Sequence, residues 1–106
     1  MLSMATLTLL PDRMEVLRVV HEFGSSVCVG TCEHRKPGEV HCHNIGQAAK
    51  VSSAGAKRRL WELVDLGLLV RERVEREDGK VMARYTVSPQ GVALLNQSGL
   101  IHSTDT

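Results

Sequence analysis

Aromatic side chains are nearly absent: Phe23, Trp61 and Tyr85 are the whole supply in 106 residues. A surface that grips single-stranded nucleic acid by stacking bases on aromatic rings is therefore not expected. Cysteine is scarce and odd in number, three residues, which argues against a disulfide framework. No apolar run reaches the length of a membrane span, so no membrane association is expected. Met1 to Leu10 is apolar but lacks the basic flank and small-residue cleavage site of a signal peptide, and a cytoplasmic location is the expectation. Catalytic constellations are missing too. No Ser, His and Asp occur in an order with supporting context, and Gly24 and Gly30 are too isolated to cradle a phosphate. Glu62 and Asp65 read as a solvated helix face. The chain is not expected to be an enzyme.

What remains is the composition of an ordinary globule of one domain, residues 1–106, with 42% hydrophobic and 24% charged residues. The net charge is only +1, but it is unevenly spread. Lys50 to Arg84 holds nine basic residues against six acidic, an excess of three in that segment. Such one-sided charge suits contact with a row of phosphates.

Periodicity predicts four helices and a hairpin. Pro11-Asp12 opens a pattern in which Met14, Leu17 and Val20 share a face, and Gly24 stops it. Residues 25–43 show no period and read as a loop with a short strand at Glu39 to Cys42. Asn44 is placed to cap a short helix, Ile45 to Lys50, and a longer one runs from Ser53 to about Leu66. In the longer helix Ala56, Leu60 and Leu63 share the inward face, while Ala54, Arg58, Trp61 and Asp65 point away. Trp61 then either packs under the hairpin or meets a second subunit, and the packing role is the one expected. Residues 69–87 alternate as two strands around Asp78-Gly79. Taken as a two-residue turn, that pair puts Val70, Glu72, Val74 and Arg76 on one face with Val81, Ala83, Tyr85 and Val87. Arg71, Arg73 and Arg84 then lie on the other. Ser88-Pro89 starts a last helix through about Gln97.

The fold class expected is mainly α with a small β-hairpin, in the order of a winged helix-turn-helix: helix-turn-helix over 44–66, wing over 69–87. The segments AAKVSSAGAKRRLWELVDLGLLVRERV and EDGKVMARYTVSPQGVALL carry a resemblance to the ArsR and MarR repressor families. Ser52 stands where those families open the recognition helix, with Ala56, Leu60 and Leu63 at the apolar positions four, eight and eleven residues on. Leu66-Gly67-Leu68 is similar to their helix-ending glycine, and Val87-Ser88-Pro89-Gln90-Gly91 to their closing strand-to-helix pattern. LPDRMEVLRVV resembles the first core helix of ArsR proteins. The resemblance implies transcriptional regulation, most simply repression, by a homodimer on double-stranded DNA. Apolar surface left over in 2–10 and 92–101 fits the dimer.

The DNA-contacting residues expected are Ser52, Ser53, Ala54 and Gly55, slim enough for close approach, with Lys57, Arg58 and Arg59 behind them. Arg76 and Lys80, at the tip of the hairpin, complete the set. The plainer reading of Lys57 to Arg59 is a solvated helix face. A winged helix used as a protein–protein module with a structural zinc loop is the alternative from another class.

All three cysteines lie in the 25–43 loop, together with His34, His41 and His43. Thiolate and imidazole suit tetrahedral zinc. The expected set is Cys28, Cys32 and Cys42 with one of the three histidines, because neighbours in His41-Cys42-His43 cannot all point inward. Three thiolates could instead hold an iron–sulfur cluster. Cys28 between Val27 and Val29 also fits a small buried hydrophobe. Val27-Cys28-Val29 resembles the Cys-Val-Cys of ArsR metal sensors, with Gly30 in place of the second cysteine. A closed structural site, an open inducer site through which regulation responds to metal or redox state, and a metal chaperone built on an incidental scaffold all stay open.

Overall fold

Leu10 is extended and Pro11 supplies a fixed φ at the first helical position, where its missing N–H costs nothing. The helix so started, α1 (Pro11–Phe23), buries Val16, Leu17, Val19 and Val20 and stops at Gly24, whose φ of 90° only glycine adopts freely. The computed structural model describes residues 9–28 and 40–100, and of Cys28 only the backbone. Among the described residues the further elements are β1 (Ser26–Cys28), α2 (Cys42–Ala49), α3 (Ser53–Asp65), β2 (Leu69–Glu75), β3 (Val81–Val87) and α4 (Pro89–Gln97). Over the described residues the fold is thus mixed α/β: four helices and a three-stranded antiparallel sheet in the order β1-β3-β2.

The sheet departs from expectation in two ways. A third strand, β1, pairs its Ser26, Val27 and Cys28 with Tyr85, Arg84 and Ala83. The strand expected at Glu39 to Cys42 reduces, among the described residues, to a bridge between His41 and Val27, and Cys42 is already helical. The hairpin register is also one residue off the expected one. Arg71 lies opposite Tyr85, Arg73 opposite Ala83 and Glu75 opposite Val81. The reason is the turn: Arg76 N donates to Lys80 O at 2.8 Å, which leaves Glu77, Asp78 and Gly79 as a three-residue loop, with Gly79 at φ 86°. One extra loop residue moves every β2 side chain to the other face. Arg71 and Arg73 consequently share the face of Leu69, Ala83 and Tyr85, while Arg84 stays on the opposite one with Val70 and Glu72.

The core gathers α1, α2, α3 and that first sheet face. Val16, Leu17, Val20, Ile45, Ala56, Leu60, Leu63, Leu69, Tyr85 and Leu95 are all buried in one cluster. Helix α2 begins two residues before the expected cap. Asn44 sits inside its first turn, its Oδ1 accepting from His41 N at 3.0 Å. Between α2 and α3 the chain turns sharply. Lys50 takes the left-handed conformation (φ 62°, ψ 41°), and Val51 N donates to Gly46 O at 2.8 Å. A Cβ on Gly46 would lie 2.7 Å from Val51 O, so only glycine permits this corner. No described helix is long and apolar enough to cross a membrane.

Candidate nucleic-acid interface

Helix α3 has two chemically distinct faces. Ser52 caps it, its Oγ accepting from Gly55 N at 3.0 Å, which satisfies one of the four N–H groups a helix start leaves open. Ala56, Leu60 and Leu63 are buried, as their spacing predicts, and Ala54, Arg58, Trp61 and Asp65 are exposed. Ser52 is exposed as well, and Ser53 and Lys57 are half-buried. His43, on α2, approaches Ser53 Oγ with its Nδ1 at 3.2 Å, so the start of α3 is tied to α2.

Two of the expected contact residues are placed differently. Gly55 is buried, and its missing side chain makes room for Arg59: a Cβ there would lie 2.8 Å from Arg59 Nη1, which donates to Gly55 O at 3.0 Å. Arg59 itself turns back to α1, its Nη2 2.6 Å and its Nε 3.0 Å from Asp12 Oδ2. Arg13 joins the cluster, binding Asp12 at 2.8 Å and Glu62 at 2.8 Å. The pairings of Arg59 with Asp12 and of Arg13 with Glu62 did not stand out in the sequence, because they bridge 47 and 49 residues and no periodicity links them.

The cluster has a signature in acid. Hydrogen bonds from Arg59 first, then Arg13, bring the Asp12 carboxyl down from its ordinary 3.8 to about 2. A carboxylate more acidic in the folded chain than in the unfolded one stabilises fully above its unfolded value. That contribution is lost as pH falls through the folded one. Stability owed to Asp12 should therefore be intact above about pH 4 and vanish toward pH 2. Urea denaturation at stepped pH checks this: the wild-type acid limb should be steeper there than that of Asp12→Asn. Parallel limbs would show that the cluster does not hold α1 to α3.

At the hairpin tip Arg76 is likewise engaged, its Nη2 2.9 Å from Asp78 Oδ2 with its side chain only 6% exposed. Asp78 Oδ1 also accepts from Lys80 N at 3.0 Å, leaving the exposed Lys80 side chain at the loop's edge. Trp61 is 44% exposed and carries the Arg71 guanidinium 4.6 Å above its ring centroid. It packs against the hairpin without being covered.

Of the expected metal ligands, Cys32, His34 and the side chain of Cys28 lie outside the described residues. Cys42 is 6% exposed within the apolar core, and His41 is buried just before it. His41 is the N-cap of α2, and Cys42 and His43 are its first two residues. Among the described residues no group of three His, Cys, Asp or Glu side chains comes together around a common point. Of the apolar surface expected at a dimer contact, residues 1–8 and 101–106 are outside the described set, while Leu10 and Leu100 are exposed. No family model matches the chain, and neither the curated proteins nor the solved structures contain a match to it.

Proposed function

We propose that the chain is a winged helix-turn-helix domain that binds double-stranded DNA as a transcriptional regulator. In this reading α2 and α3 are the helix-turn-helix, α3 enters the major groove, and β2–β3 is the wing. One observation carries it: Ser52, Ala54 and Arg58 are exposed at the N-terminal half of a helix whose other face is wholly buried. That is the requirement for presenting donors to base edges from a fixed scaffold. The cluster of Asp12, Arg13, Arg59 and Glu62 supports the pose of α3 rather than contacting DNA. A two-fold pair would set two such helices about 34 Å apart, one turn of the duplex.

The test is anisotropy on labelled duplexes across a salt series. Binding should fall steeply with salt. Arg58→Ala should lose about 1–3 kcal/mol on the preferred sequence and blur the preference at one base pair. A chain silent toward duplexes even at low salt would leave the protein–protein module as the better account.

A further inference from the structure

The arginines of the described residues sort into two groups. Arg13, Arg18, Arg59, Arg76 and Arg84 each take a carboxylate within 4 Å. Arg58, Arg71 and Arg73 take none, and all three are exposed. An unpaired guanidinium has its planar fork of donors available to a phosphate.

These three are also neighbours. Arg58 and Trp61 are three residues apart on the exposed face of α3, hence adjacent. Arg71 lies over the Trp61 ring at 4.6 Å, and its Nε donates to Tyr85 Oη at 3.4 Å. Arg73 follows Arg71 on the same face of β2, roughly 7 Å further along the strand. The nearby acids are largely removed from the row. Glu62 is bound by Arg13, and Glu72 lies on the far sheet face near Arg84, 3.6 Å away. Glu75 shares the row's face but follows Arg73 toward the tip.

We infer that Trp61 is a positioning residue that holds Arg71 across the junction of α3 and the hairpin, so that Arg58, Arg71 and Arg73 form one cationic row gripping the phosphodiester backbone of a duplex. This rests on the DNA-binding reading and extends its contact surface to two residues of β2. The ring fixes the guanidinium plane by cation–π attraction while leaving its terminal donors outward. A guanidinium held in place loses less freedom on binding than a loose one.

The probe is a labelled mixed-sequence duplex of about two helical turns, titrated with the full chain between 50 and 200 mM salt as in the counterion-release treatment. Arg71→Gln and Arg73→Gln should each reduce the slope of log affinity against log salt by about one, and the low-salt affinity by about tenfold. Trp61→Ala should reproduce Arg71→Gln, and the double variant should be no weaker than either, as expected of residues acting as a unit. Trp61→Phe, which keeps a π face, should restore most of the binding. Thermal melts of each variant show that it is folded; should Trp61→Ala melt early, Arg71→Gln and Trp61→Phe decide. Wild-type slopes in both arginine variants would overturn the row and leave α3 as the binding element. A wild-type chain that ignores the duplex, or prefers single-stranded RNA with the same slope, overturns the row together with the reading beneath it.

Discussion

Leu63→Ala should lower the unfolding free energy by about 2–5 kcal/mol, the range for emptying a fully buried leucine site. Leu63 is wholly buried on the inward face of α3, in one cluster with residues of α1, α2 and the sheet. That cluster draws on several elements, so it relaxes only partly into the space the removal leaves. Denaturation midpoints should shift at constant m-value, since the same surface is exposed on unfolding. Arg58→Ala, on the opposite face of the same helix, should change stability by no more than about 0.5 kcal/mol. Comparable losses at the two positions would mean that α3 is rotated from the phase described.

Gly91→Ala should also destabilise, by about 1–3 kcal/mol, against the usual preference of helices for alanine. Gly91 lies in the first turn of α4, where its N–H donates to Ser88 Oγ at 3.0 Å. A Cβ there would stand 2.3 Å from Leu68 O and 2.7 Å from Val87 Cγ1. The carbonyl cannot swing aside freely, because it accepts from Ser88 N at 3.0 Å, and Ser88 Oγ donates in turn to Gly67 O at 2.6 Å. Alanine would have to lift α4 from the start of β2 or break this strap. A rise in melting temperature, the ordinary outcome for Gly→Ala in a helix, would sink the argument.

The local signals were legible in the sequence because they are short-range. The inward set Ala56, Leu60 and Leu63, the stop at Gly24 and the cap at Ser88 each follow from residues within about one turn or a few helical turns. Strand β1 was not legible: three residues, Ser-Val-Cys, offer no period, and their partners lie 55 to 59 residues away in β3. The hairpin was found but mis-registered, because Asp78-Gly79 satisfies both a two-residue turn and the last two positions of a three-residue one. On α3, the exposure of Arg58 follows from helical phase alone. The retirement of Arg59 into an ion pair depends on Asp12, and the placing of Arg71 and Arg73 on the sheet face of Tyr85 and Ala83 depends on one loop residue. Neither is encoded near the residue it affects.

The corner between α2 and α3 is closed by main-chain atoms, with Gly46 against Val51 and Lys50 in its left-handed turn. The geometry of this corner is thereby separated from what the exposed positions Ala54, Arg58 and Asp65 display. Those positions can be rewritten one by one while the angle of presentation stays the same. New surface chemistry on α3 therefore needs no repacking at this corner.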